Sequence, residues 1–97
     1  MNSEDGPIQY PIDGTLDLHT FRPGEVKNLL PEYIEACREN GIYELRIIHG
    51  KGTGTLREIV HSILKKHSAV INFRHEEGSG GWGATVVDLK RPDSNRF

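Results

Sequence analysis

The segment His49-Gly50-Lys51-Gly52-Thr53-Gly54 most constrains the fold, because it joins a strand-like stretch directly to a helix-like one. Residues 44–49 predict a strand, and the apolar residues from Leu56 onward recur with helical spacing. Glycine at alternate positions lets a backbone turn sharply and approach a ligand closely. A strand that runs through such a turn into a helix is typical of an α/β domain with a site at the edge of its sheet.

The rest of the chain predicts four strands and two helices in the order β-α-β-α-β-β. Residues 15–19 alternate between apolar and polar side chains, and residues 70–75 and 84–89 give the last two strands. Strand–helix–strand connections favour parallel neighbours, so the first three strands should point the same way. The last strand should return as a hairpin. We therefore expect a two-layer α/β sandwich, with two helices on one face of a four-stranded mixed sheet.

Both helices are predicted from apolar residues that recur every three or four positions. The first helix carries Val26, Leu29, Leu30, Tyr33, Ile34 and Cys37, and the second carries Leu56, Ile59, Val60, Ile63 and Leu64. Pro31 interrupts the first pattern and predicts a kink there, or a helix that begins near it. Gly41 supplies the C-terminal stop of the first helix. The spacing of Thr55 and Glu58 predicts a capping box at the start of the second helix.

The chain has 97 residues, of which 35% are hydrophobic and 27% charged, so it forms one globular domain. We expect residues 1–13 to be a flexible leader, residues 14–91 the folded domain and residues 92–97 a frayed tail. No apolar run is long enough to span a bilayer, and the acidic N-terminus argues against a secretory signal. The single cysteine, Cys37, has no intramolecular partner, which indicates a reducing, cytoplasmic setting.

Charge is unevenly distributed along the chain, although its net value is only −2. Residues 1–44 carry nine acidic and three basic side chains, whereas residues 45–97 carry nine basic and five acidic ones. Such a division is compatible with one face turned towards a polyanion. Arg57, His61 and Lys65 fall on one line of the second helix, opposite its apolar residues. They either follow a phosphate backbone or form an ordinary solvated face.

The topology should bring His19, the 49–54 loop and the glycine-rich 78–83 loop to the carboxyl edge of the sheet. In the first of these loops Gly50, Gly52 and Gly54 allow backbone N–H groups to face an anion at a helix N-terminus. Lys51 adds a charge and Thr53 a hydroxyl. The spacing matches neither a Walker A loop nor a complete dinucleotide fingerprint. The alternative is a turn that needs glycine for its geometry alone.

Asp17 and His19 should share one face of the first strand, so that the aspartate orients the imidazole. With His49 on the neighbouring strand, two histidines would serve as general base and general acid in phosphodiester cleavage. The alternative is that His19 is only a hydrogen-bonding residue at the end of a strand. Trp82, at the hairpin tip, either stacks on an unpaired base or covers the sheet edge.

No cofactor is required by these patterns. A divalent metal ion such as Mg²⁺ is one option, because Asp17, His19 and His49 offer suitable donor atoms. The chain lacks the tight Cys/His spacing of a dedicated metal site.

Three ordered motifs resemble those of the Smr (small MutS-related) domain family. They are Leu16-Asp17-Leu18-His19, His49-Gly50-Lys51-Gly52-Thr53-Gly54 and Gly83-Ala84-Thr85-Val86-Val87-Asp88-Leu89. The resemblance implies a fold similar to the C-terminal domain of translation initiation factor three. It also implies nucleic-acid binding, with DNA nicking or RNA endonuclease activity in several members. By position, Asp17 and His19 would be the catalytic or substrate-positioning pair, and the second motif would be the phosphate-facing loop.

The first motif departs from the family at Thr20, where a glycine usually follows the histidine. We expect its β-carbon to alter the turn and narrow the pocket. Three functions remain open: an endonuclease acting on structured DNA or RNA, a non-catalytic DNA- or RNA-binding module, and a protein-interaction domain. The sequence does not distinguish DNA from RNA. Because 97 residues leave no room for an ATPase or clamp domain, we expect a stand-alone form, assumed monomeric.

Overall fold

The computed structural model describes residues 11–50, 54–76 and 83–91. Along these ranges the strands and helices are β1 (Thr15–Asp17), α1 (Pro23–Glu39), β2 (Glu44–Ile48), α2 (Thr55–Lys66), β3 (Val70–His75) and β4 (Ala84–Leu89). Both the kinds of element and their order agree with the sequence prediction. Within the described ranges, no helix has the length and apolar character that crossing a membrane requires.

The four strands form one mixed sheet in the order β1-β2-β4-β3. Strand β1 pairs in parallel with β2, whereas β4 is antiparallel to both of its neighbours, β2 and β3. It follows that β1, β2 and β3 point the same way, as predicted. The hairpin places β4 between β2 and β3, a neighbour relation that the sequence pattern had not specified.

The core lies between one face of the sheet and the two helices, which pack against each other. Alternate residues of the two central strands are buried, among them Leu45, Ile47, Val87 and Leu89. Val60 and Leu64 of α2 join the same cluster. Ile12, within the predicted leader, also packs against it. Each fully buried aliphatic side chain stabilises the fold by about 1.5–3 kcal/mol.

Helix α1 runs from Pro23 through Pro31, so the alternative that the helix begins near Pro31 is wrong, whereas the predicted kink stays a prediction. Proline removes one backbone hydrogen bond, but Leu30 and Tyr33 on either side of it are fully buried. Their packing holds the helix together across the missing bond. The predicted stop is confirmed, because Gly41 follows the helix with a φ of 77° in the left-handed region.

The predicted capping box at the start of α2 is not formed. Thr55 is already the first helical residue, and the capping position belongs to Gly54, which has no side chain to offer. Gly54 has a φ of 92°, which favours glycine. The loop therefore enters the helix through a left-handed turn.

Candidate nucleic-acid site

Three segments of the chain meet at the carboxyl edge of the sheet, as predicted. A β-carbon added to Gly50 would lie 3.2 Å from the Cβ of His19, so the two residues are in close contact. The backbone N–H groups of His49 and Gly50 both donate to the carbonyl oxygen of Gly83, at 2.8 and 2.9 Å. Of the other predicted site residues, Lys51, Gly52, Thr53 and Trp82 lie outside the described residues.

Asp17 and His19 form a hydrogen-bonded pair at this edge. The Nδ1 atom of His19 lies 2.6 Å from Oδ1 of Asp17, and the His19 backbone N–H donates to the same oxygen at 3.1 Å. The side chains are 52% exposed for Asp17 and 56% for His19, so a substrate can reach both. The pair that the sequence placed on one face is therefore in direct contact.

The Asp17–His19 contact also determines the ionisation of the carboxyl group and the position of the proton on the imidazole ring. Hydrogen bonds from the His19 ring, and then from its backbone, hold the pKa of the Asp17 carboxyl below its usual value. An ionised carboxylate only accepts hydrogen bonds, so Nδ1 of His19 carries a proton. This leaves Nε2 of His19 as the nitrogen that can exchange a proton with a substrate or a water molecule.

Thr20 lies in the exposed turn that follows this pair. The turn is closed by a hydrogen bond of 2.9 Å from the Phe21 N–H to the Leu18 carbonyl. Among the described residues only glycines have a positive φ, so the backbone at position 20 does not require one. The threonine is compatible with the turn.

The ring of His49 does not join His19 at the edge. His49 is only 4% exposed, and its Nδ1 lies 3.1 Å from the Gly50 carbonyl oxygen. Its Nε2 lies 2.9 Å from the Thr85 hydroxyl. Burial, the main cause, lowers the pKa of His49, so the neutral ring is favoured. The structure brings the backbone of His49 to the site but turns its side chain into the protein.

His61 is not part of a solvated basic row, in contrast to the sequence prediction. Its Nε2 lies 2.9 Å from the Thr85 hydroxyl, and its ring packs against Phe73 with the two centroids 4.9 Å apart. The ring thus faces the sheet, where a buried hydroxyl needs a partner. Lys65 is exposed as predicted. Arg57 is half-buried beside the start of α2, with its Nη2 3.4 Å from where a β-carbon on Gly54 would lie.

Sequence reasoning missed the buried Thr85, and it missed the exposed His75 whose ring packs against that of His61. The two residues are opposite each other on β4 and β3, and the rings of His75 and His61 have centroids 5.6 Å apart. One signal was present in the sequence. Thr85 occupies a position that alternates with the apolar residues Val87 and Leu89, and a hydroxyl at a buried strand position requires a partner.

The face of the sheet that the helices leave open carries arginines, but acidic side chains neutralise them. Arg46 donates through Nε to both carboxylate oxygens of Glu76 at 2.8 Å. Arg74 contacts Asp88 at 3.0 Å and Glu44 at 3.3 Å. The site at the carboxyl edge is therefore a better candidate for an anionic ligand than this open face.

Across the three described ranges, no group of three or more His, Cys, Asp or Glu side chains is arranged to hold a metal ion. Asp17 and His19 face each other, and the His49 ring is buried on the helix side. The described residues thus do not form a site for a resident metal, and no chemical step below depends on one.

Together these features define a class of protein: a two-layer α/β domain with an exposed Asp–His pair beside a glycine turn that leads into a helix. The Smr domain family matches this chain over residues 16–90, and the chain belongs to that family. The sequence resemblance in the three motifs is thereby confirmed.

Among its relatives, the chain is similar to two proteins named endonuclease MutS2. It is 39% identical over 80 residues to that of Clostridium tetani and 42% identical over 77 residues to that of Clostridium kluyveri. These alignments cover 81% and 78% of this chain but only 10% of either relative. The chain therefore spans about a tenth of the length of the curated relatives that it matches.

Two solved structures have the same fold. The Smr domain of Thermus thermophilus MutS2 has a TM-score of 0.73 and 32% identity, covering 80% of this chain and 99% of that one. YdaL of Escherichia coli, described as a stand-alone small MutS-related protein, has a TM-score of 0.76 and 26% identity. That match covers 86% of this chain and 69% of YdaL.

Proposed function

We propose that this domain binds structured DNA or RNA at the carboxyl edge of its sheet and hydrolyses a phosphodiester bond there. The observation that carries the proposal is the 2.6 Å contact between Asp17 and His19, made by side chains that are half-exposed. An ionised carboxylate bound to one imidazole nitrogen orients the ring and stabilises its protonated form. The name endonuclease, borne by the MutS2 relatives, supports the same chemistry.

In this mechanism Nε2 of His19 acts as the general base. It takes a proton from a water molecule as the water oxygen attacks phosphorus, and Asp17 stabilises the imidazolium that forms. The bond between phosphorus and the leaving oxygen breaks, and that oxygen takes a proton from the imidazolium or from solvent. Because Gly50 has no side chain, its backbone can lie directly against His19. Arg57 and the N-terminus of α2 supply positive potential nearby.

His49 has a different role in this proposal from the general acid that its position in the sequence suggested. Both of its ring nitrogens are engaged within the protein, at 3.1 and 2.9 Å, and the ring is buried. A proton donor must reach the leaving oxygen within hydrogen-bond distance. We therefore assign His49 to the shape of the turn beside His19.

A second candidate function is recognition of DNA or RNA without cleavage. It is favoured by the same burial of His49, which removes the second histidine of the predicted acid–base pair from the exposed site. A binding module needs the glycine turn and the positive potential of Arg57, but it does not need Asp17 as a carboxylate. In either case, the buried single cysteine, Cys37, suits the cytoplasmic setting that we propose.

The decisive experiment incubates the protein with branched DNA, single-stranded DNA and structured RNA, with and without divalent metal. For an enzyme, His19→Ala lowers the cleavage rate by about 10²-fold or more, because general base catalysis contributes that much. Binding falls far less. Asp17→Asn is expected to act in the same direction, since the ring loses its carboxylate partner.

The matched control is His67→Ala. His67 follows the C-terminal end of α2, about 18 Å along the helix from the site. The His67→Ala variant should cleave and bind nucleic acid as the parent protein does. Cleavage that survives His19→Ala would contradict the catalytic proposal, whereas binding without cleavage in every protein would support the recognition module. Affinity that did not weaken with added salt would argue against both.

A further inference from the structure

The hydroxyl of Thr85 lies between two histidine rings beneath the site. Its oxygen is 2.9 Å from Nε2 of His49 on one side and 2.9 Å from Nε2 of His61 on the other. Thr85 is fully buried and His49 nearly so. All buried side-chain polar atoms in the described ranges have a hydrogen-bond partner. The contacts thus form a network around a buried hydroxyl, with His61 half-buried at one end, and its protons can be assigned.

The assignment starts from the carbonyl oxygen of Gly50, which can only accept a hydrogen bond. Nδ1 of His49, 3.1 Å away, must therefore carry a proton. In a neutral ring the other nitrogen is then an acceptor, so Nε2 of His49 receives the single hydroxyl proton of Thr85. The Thr85 oxygen in turn accepts from His61, whose Nε2 must be protonated. Each hydrogen bond of this network therefore has a defined donor and a defined acceptor.

We propose that Thr85 is a positioning residue: it fixes the tautomer of His49, and through the Gly50 carbonyl it holds the glycine turn against His19. The chain of donors runs from His61 to Thr85, from Thr85 to His49, and from His49 to the Gly50 carbonyl. This proton order does not depend on the function of the domain. Its effect on nucleic acid rests on the function proposed above.

The network depends on His49 being neutral. A protonated His49 would carry hydrogens on both ring nitrogens, so the Thr85 hydroxyl could donate only to Nε2 of His61 and the proton order would reverse. The groups around the network are themselves cationic or can become so: Arg57, His61 and Lys65 on α2, and His75 on β3. On the far side of Gly50 lies His19, with Asp17 bonded to it. Burial lowers the pKa of His49, so this reversal should occur in acid, below the ordinary histidine value of 6.5.

The direct test is the tautomeric state of each ring in the full-length protein, read from long-range ¹⁵N–¹H correlations of its imidazole nitrogens. At neutral pH we expect the Nδ1–H tautomer for His49 and the Nε2–H tautomer for His61. The opposite tautomer at either ring would overturn the proposal. This measurement needs no variant, so it decides the question even if a substitution prevents folding.

Two substitutions of Thr85 then separate the hydroxyl from the shape of the side chain. Thr85→Val keeps the size of the side chain and removes the hydroxyl. Thr85→Ser keeps the hydroxyl and should restore the parent spectrum and the parent chemical shift of the Gly50 amide. Equal spectra for the valine variant and the parent, or failure of serine to restore the signals, would contradict a positioning role.

The functional readout is the affinity for a branched DNA oligonucleotide and for a structured RNA between pH 8 and pH 5. We expect Thr85→Val to lose affinity about 10-fold at neutral pH and to change the dependence of affinity on pH, with Thr85→Ser resembling the parent. If the parent binds neither probe, the proposed function is wrong. The NMR measurement of the two tautomers still tests the hydrogen-bond network in that case. If the parent binds and the valine variant keeps the same pH profile, the role of Thr85 in the site is refuted.

Discussion

At the scale of single residues, the site depends on how closely two backbones approach. Gly50 has a φ of 85° and faces the β-carbon of His19, so two independent constraints require glycine at this position. Left-handed backbone conformation is costly for residues with a β-carbon. Contact with His19 adds a steric cost on the side of the Asp17–His19 pair. Glycine at position 50 therefore allows the turn to pack directly against His19.

Replacing Gly50 with alanine should lower the free energy of unfolding by about 1–2 kcal/mol, the typical cost of a left-handed alanine. Affinity for nucleic acid should fall as well, because the new methyl group lies against His19. Urea denaturation and a binding titration would measure the two effects. An unchanged affinity would place the ligand away from this turn.

Gly24→Ala provides the control. Gly24 lies in the first turn of α1, and a β-carbon there would meet no atom within 4 Å. Alanine favours a helix over glycine by about 0.5–1 kcal/mol. We expect unchanged or slightly higher stability and unchanged binding. A loss similar to that of Gly50→Ala would mean that the glycine substitutions act through some general effect on folding.

The exposed half of the site could be predicted from the sequence and the buried half could not. Asp17 and His19 are two residues apart on a strand, so alternation alone places them together. The contacts of Thr85 depend on strand register and on the rotation of α2 about its axis. Register pairs His75 with Thr85, residues ten positions apart around a loop. Local periodicity contains no such information.

At the scale of elements, α1 illustrates how packing overrides local preference. Its start is fixed by Glu25, whose carboxylate accepts a hydrogen bond of 2.9 Å from the backbone N–H of Arg22. Its end is fixed by the left-handed Gly41. Between them Pro31 is tolerated because the buried face is continuous. The amphipathic pattern predicted the helix correctly, whereas the alternative drawn from proline alone, a helix beginning near Pro31, was wrong.

Glu25→Ala should lower the free energy of unfolding by about 0.5–1 kcal/mol, since it removes both a cap and a negative charge at the positive end of the helix dipole. Glu39→Ala, at the opposite end, should leave stability unchanged or raise it slightly. Thermal or urea unfolding would compare the two variants. Equal losses would show that charge position along α1 is unimportant.

At the scale of the whole molecule, the buried histidines link folding to pH. Burial lowers the pKa values of His49 and His61 below their ordinary value of 6.5. As pH falls below that value, the unfolded chain takes up protons before the folded one does. The free energy of unfolding should therefore decrease, and the decrease should end once pH is below the folded-state values.

Urea denaturation at a series of pH values from about 8 to about 5 would measure this dependence. His61→Gln should flatten it, since an amide keeps a donor for Thr85 but does not titrate. A constant free energy of unfolding between pH 6.5 and about pH 5 would contradict the lowered pKa values. If His61→Gln left the pH dependence of the free energy of unfolding unchanged, that dependence would arise from other groups.

The position of β4 in the sheet has a consequence for how the protein is made. The strand of this domain that is synthesised after the other described strands is a central one, between β2 and β3. Gly83, which precedes it, accepts hydrogen bonds from His49 and Gly50, and its Thr85 contacts His49. A nascent chain therefore lacks a central strand of its sheet until residue 89 has been added, and neither the core nor the site is complete before then.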